Sequence, residues 1–345
     1  MRFSLVLSCV AVLSVAAGCG PAEHGSARGD ERGIENAPAG AADAPEPRML
    51  ATIDREATVG IAVDDTHAYV TTRGNVGGSI VKVSLAGGEP VVLASMNPGP
   101  FAIAVDDSFV YWSVHDTGRI HRVSKNGGAV AIVAEQHERA NGAEAIALDA
   151  THVYWSAVGG IFRAPKTSTS ANPERIAEDD QGAAALAVDG GEAFWIARGT
   201  SGDANGALYK VKTSGGEKIT LGTGAIFMPT WGFSIAAKGR YVFVPDTKAG
   251  RIYRVERNSG ELTLVSEGED MPVAVAADER RVYWSTGGTV GARSDWRTLG
   301  AAPIEGGPVE RLVATRQANI SAIASNGRGV FFTDYTTTGS VFAAR

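Results

Sequence analysis

The side chains that could do chemistry in this chain are few and widely spaced. His115 stands beside Asp116 in "VHDTG", and His137 beside Glu138 in "EQHERANG". An imidazole next to a carboxylate is the pairing that acid–base and metal sites use. Either pair would need further carboxylates, such as Asp246, brought in from distant parts of the chain. No HExxH, GxSxG or P-loop pattern is present. The remaining candidates are aromatic. "GTGAIFMPTWGF" carries Phe227, Met228 and Trp231, and "TGGTVGARSDWRTLG" carries Asp295, Trp296 and Arg297. Long segments bearing aromatic and arginine side chains are a signature of binding. These residues are the expected site, with no cofactor implied.

The elements that must position them repeat. "IAVDDSFVYWS" starts at Ile103 and "IALDATHVYWS" at Ile146. Aligned on that first apolar residue, seven starts appear: Ile61, Ile103, Ile146, Leu186, Ile235, Val275 and Ile323. Their spacing is that of one propeller blade per repeat. Eight residues after every start is an aromatic: Tyr69, Tyr111, Tyr154, Phe194, Phe243, Tyr283 and Phe331. Trp112, Trp155, Trp195 and Trp284 follow it in four repeats. A turn-forming Asp lies three after the start in five, with Lys238 and Asn326 in the others. Each repeat reads as four short alternating strands parted by Asp and Gly turns.

The seventh repeat ends after its third strand, and the missing fourth resembles "PRMLATI" ahead of the first repeat. The expected fold is all-β: a seven-bladed propeller over residues 48–345, closed by an N-terminal strand that completes the last blade and removes an exposed edge. In such a ring, loops joining second to third strands share one rim with those linking blades. His115, Asp116, His137, Glu138, Phe227, Trp231, Trp296 and Arg297 all fall on that rim, as does the "EDDQG" of Asp179 and Asp180. In-register residues read as scaffold: His67 and His152 in turns, and the third-strand cations Lys82, Arg122, Arg163, Lys210 and Arg254.

The 345-residue chain has a net charge of −6 and no basic run, which argues against nucleic acid. Its first 18 residues have the positive start, apolar stretch and small-residue end of a secretory signal, too short to span a bilayer. Small, polar and proline-bearing residues up to about Pro47 read as a flexible tether. Cys9 would leave with the signal. Cys19 would then be the sole cysteine, so the mature fold would hold no disulfide.

Two resemblances sharpen this reading. "VAAGC" resembles the lipobox of bacterial lipoproteins, with Ala16 where leucine is usual. It implies lipidation of Cys19, and Gly20 after it implies the outer membrane. The "VYWS" and "VFFTD" segments resemble YWTD-type propellers of the low-density-lipoprotein receptor group, and are similar to bacterial NHL and streptogramin-lyase-like propellers. Those propellers are mostly binding platforms. The expectation is therefore a monomeric, lipid-anchored envelope protein, touching the membrane only through its anchor. It would be a non-catalytic binder of a protein, peptide or glycan. The alternative is a metal-assisted lyase or hydrolase at the same mouth.

Overall fold

The computed structural model describes residues 44–53, 56–74, 77–96, 99–135, 142–180, 182–197, 206–224, 234–287, 296–316, 318–335 and 339–344. All belong to one compact unit. They form twenty-eight strands in seven four-stranded antiparallel sheets, with no helix among the described residues. Blade two shows the plan: Ile103–Val105, Phe109–Val114, Arg119–Ser124 and Ala131–Ala134 lie side by side in chain order. The other blades open with Ala57–Val63 (one), Ala145–Leu148 (three), Ala183–Asp189 (four), Ala236–Lys238 (five), Val275–Ala277 (six) and Ile320–Ser325 (seven). These first strands touch their neighbours right round the ring, and that of blade seven returns to that of blade one.

Blade seven takes its fourth strand from the other end of the chain. Arg48–Ile53 pairs antiparallel with Gly339–Ala343, placing Thr52 opposite Ser340 and Ile53 opposite Gly339. The expected clasp is present. Without it the third strand would offer an unpaired edge.

Hydrophobic packing is divided among the blade interfaces. Between blades one and two, Tyr69 and Ile80 meet Ile103, Val110 and Trp112. Between two and three, Tyr111 and Ile120 meet Val153 and Trp155. The first aromatic of each "YW" pair thus faces the following blade and the second faces the preceding one. Adjacent strand residues point to opposite faces, so one dipeptide seals two interfaces. Trp112, Trp155, Trp195 and Trp284 are fully buried. Near the axis, where the blades converge, the residue after every repeat start is alanine, Ala62 and Ala104 among them. A small side chain there lets the first strands approach closely.

Each blade also twists at an equivalent point. The ladder between third and fourth strands slips at Ile80/Val81, Ile120/His121, Ile161/Phe162, Leu208/Tyr209, Ile252/Tyr253 and Leu299/Gly300, and in the clasp at Met49/Ala51. A bulge bends the strand and increases its twist. Placed toward the outer edge, it fans each blade away from its neighbours.

Polar groups lock the repeats. Asp64 accepts hydrogen bonds from the amides of Thr66 and His67 and from the Tyr69 hydroxyl at 3.0 Å. Asp106, Asp149 and Asp278 do the same for their own turns and for Tyr111, Tyr154 and Tyr283. Asn326 caps the equivalent turn of blade seven, where the ring is Phe331 and has no hydroxyl to receive. Its amide instead donates to the Asp64 carbonyl at 2.9 Å, tying blade seven to blade one. The serine of "YWS" latches its strand to the first one: the Ser113 and Ser156 hydroxyls accept from the Ala102 and Ala145 amides at 3.1 Å. Third-strand cations reach across interfaces. Lys82, Arg163 and Arg254 donate to the carbonyls of Lys125, Thr213 and Ile304, each just past the third strand of the next blade. Arg163 and Arg254 thereby hold successive blades together, as expected of scaffold cations.

Candidate functional site

His115 opens the turn after the second strand of blade two. Gly118 closes that turn through a bond from its amide to the Val114 carbonyl, 2.9 Å, with φ at 66°. Two neighbours fix His115 itself. Its ring lies 5.6 Å from that of Phe101, and its carbonyl accepts from the Gly142 amide at 2.9 Å. Its Nδ1 is 3.3 Å from Asp116 Oδ1, a long contact between a one-third exposed imidazole and an exposed carboxylate. The expected pair exists, at the solvent boundary. Among the described residues no three of His, Cys, Asp and Glu group as metal ligands.

Trp296 and Arg297 lead into the third strand of blade six, Arg297–Pro303. The Trp296 ring is half-buried, and the Arg316 guanidinium lies 4.7 Å from its centroid. Arg316 follows the fourth strand of the same blade, where Arg297 is opposite Thr315. The buried indole nitrogen of Trp296 has no hydrogen-bond partner among the described residues. The chain closes over this corner at Gly287, where a Cβ would collide with Arg297 Cδ and the Trp296 carbonyl. Gly287 also donates to the Asp270 carbonyl at 2.6 Å, joining the loop to the linker from blade five.

Beneath lies a buried ion pair. Glu269, 6 % exposed, accepts two bonds from Arg311 at 2.8 and 2.9 Å and one from the Ser266 hydroxyl at 2.6 Å. A bidentate pair with a third hydrogen bond on the carboxylate holds linker and blade in one geometry. Nothing in the spacing of Glu269 and Arg311 identifies them as partners, because the contact crosses between blades.

His115 and Trp296 therefore share a rim but belong to blades two and six, which share no hydrophobic cluster. Asp179 is scaffold: it is 2 % exposed and accepts from Trp195 Nε1 at 2.5 Å. Asp246 caps the turn after the second strand of blade five through the Ala249 amide, 2.8 Å. Phe227, Trp231, His137 and Glu138 lie outside the described residues, as do Cys19 and the expected signal.

No protein-family model matches the chain, and no curated protein matches it. Solved structures do. A puromycin hydrolase mutant complexed with PGG superposes with a TM-score of 0.59 at 11% identity, covering 81% of this chain and 50% of the hydrolase. The computationally designed Ika8 protein gives 0.55 at 13%, covering 86% of this chain and 99% of the design. A nidogen/laminin complex gives 0.48 at 20%, covering 61% and 79%. At these identities the likeness is one of fold, which many unrelated functions share.

Proposed function

We propose that the chain is an exported β-propeller, held on the cell envelope by a lipid at Cys19 and the 19–47 tether. There it acts as a non-catalytic binding module for a protein, peptide or glycan. The ligand is engaged on the rim that carries Trp296 and Arg297 with His115 and Asp116, and to which Phe227, Trp231, His137 and Glu138 are assigned by position in the repeat. The observation that carries the reading is Trp296. A half-buried indole beneath a guanidinium offers a ligand an amphipathic face, and such residues dominate binding energy where they occur. The tryptophans at the repeat positions are buried in blade interfaces and offer no such face.

Capture of the native partner from solubilised envelope tests this. Trp296→Ala should weaken capture roughly thirtyfold, about 2 kcal/mol, with an unchanged melting temperature. Trp284→Ala should lose stability instead. Equal loss of stability in both variants would reduce Trp296 to packing. Cys19→Ser should release the protein from the membrane fraction and abolish fatty-acid labelling. Stoichiometric Mg²⁺ or Ca²⁺ on the purified protein, lost in His115→Ala, would transfer the rim to the lyase or hydrolase reading.

A further inference from the structure

On the opposite rim, independently of the reading above, a cavity of about 550 Å³ opens between blades one and two. It is lined by Asp64, His67 and Lys82 of blade one, by Asp107, Ser108 and Phe109 of blade two, and by the turn holding Lys125 and Asn126. The ring supplies internal controls for this place. Blades two to five each have a cation at the position of Lys82, and each is matched. Arg122 lies over the Phe109 ring at 4.9 Å and Arg254 over the Tyr241 ring at 4.4 Å. Arg163 pairs with Glu174 at 2.8 Å and Lys210 with Glu192 at 2.9 Å. Phe109, Glu192 and Tyr241 all stand two residues before their blade's aromatic. In blade one that residue is His67, which is neither an acid nor a covering phenyl ring.

Lys82 is thereby left with neither a carboxylate nor a covering ring among the described residues. Its ammonium donates to the Lys125 carbonyl at 3.0 Å, which uses one of three donors. Lys125 does not share the vacancy, since Asp64 neutralises it at 2.5 Å. A half-buried cation facing an open polar cavity is a seat for an anion. We propose that this cavity binds a small organic carboxylate, with Lys82 as its charge partner and Asn126 and Ser108 as neutral hydrogen-bonding groups. One unmatched cation suits a single negative charge. A dianion would meet Asp107, exposed at the mouth, with a second charge uncompensated. The Phe109 wall accommodates a carbon skeleton.

The test titrates the full-length protein with acetate, and separately with inorganic phosphate, at constant ionic strength. The His67 ring resonances, assigned with a His67→Gln variant, report occupancy. The expected result is a saturable shift with acetate in the millimolar range, weaker binding of phosphate, and at least tenfold weaker acetate binding in Lys82→Met. Asn126→Asp, in the exposed turn after Arg119–Ser124, should weaken acetate as well, which covers the case in which Lys82→Met unfolds. Lys210→Met, at the matched position of blade four, should leave acetate binding unchanged. A shift that stays linear, or is equal in wild type, Lys82→Met and Asn126→Asp, overturns the site. Tighter binding of phosphate than of acetate overturns its assignment to a carboxylate.

Discussion

His121 departs from its repeat, and the departure makes the fold sensitive to acid. It stacks on Trp112, with ring centroids 5.6 Å apart, where Phe162 stacks on Trp155 and Phe342 on Phe332. Burial, then the Arg119 charge, depress its pKa to about 4 against the partial opposition of Glu135. The ring is neutral in the folded protein, whereas the unfolded chain protonates it near 6.5. Because the folded pKa is the lower one, stability is intact above pH 6.5 and is lost as pH falls toward 4. His121→Phe should remove that loss, making the drop in unfolding free energy between pH 7 and pH 5 smaller than wild type by about 2 kcal/mol. Urea unfolding at the two pH values measures it, and parallel losses would place His121 outside the pH response. At this scale the sequence is partly legible. Trp296 and His115 stand out because they break the register. Lys82 and His67 keep it, and so read as scaffold. The signal that sets them apart is subtler: residue 67 lacks the acid or ring that Glu192, Phe109 and Tyr241 supply elsewhere.

Turns and strands are the most legible level, because their signals are local. An Asp five residues before a Tyr specifies one hydrogen-bonded turn whatever surrounds it, and alternation specifies which face each ring takes. The direction in which repeats grip each other is not legible. Periodicity shows that Lys82, Arg163 and Arg254 recur, but not that they reach the following blade rather than the preceding one. The turn acids carry a pH consequence of their own. Burial pushes the carboxyls of Asp64, Asp106, Asp149 and Asp278 up, but amide and tyrosine hydrogen bonds, with Lys125 on Asp64 and Lys166 on Asp106, hold all four below the usual range. Groups depressed on folding stabilise above their unfolded pKa of 3.8, and that contribution disappears as pH falls below it through the folded values. Asp278→Asn should lower stability at pH 7 by roughly 1–2 kcal/mol, through loss of a charged acceptor for Tyr283, and flatten the acid limb of the stability curve. An unchanged acid limb would show that the turns do not govern acid unfolding.

For the whole molecule, closure is legible from the two chain ends, since a three-stranded last repeat and an orphan strand before the first imply each other. Deleting residues 20–43 should leave the melting temperature nearly unchanged. Deleting 48–53 should cost several kcal/mol or cause aggregation, since Leu50, Ala51 and Ile53 leave the blade seven–blade one core and a sheet edge is exposed. Equal melting of the two truncations would refute the clasp. The same seam bears on how the protein is made. A ribosome delivers Arg48–Ile53 before any blade and Gly339–Ala343 after all of them. Arg48–Ile53 therefore waits for its partner through the synthesis of all the blades between them. Blades one to six can form in order as they appear, each after the first covered on one side by its predecessor. The ring itself cannot close until Gly339–Ala343 has been made, and until then Arg48–Ile53 is an unpaired, aggregation-prone strand.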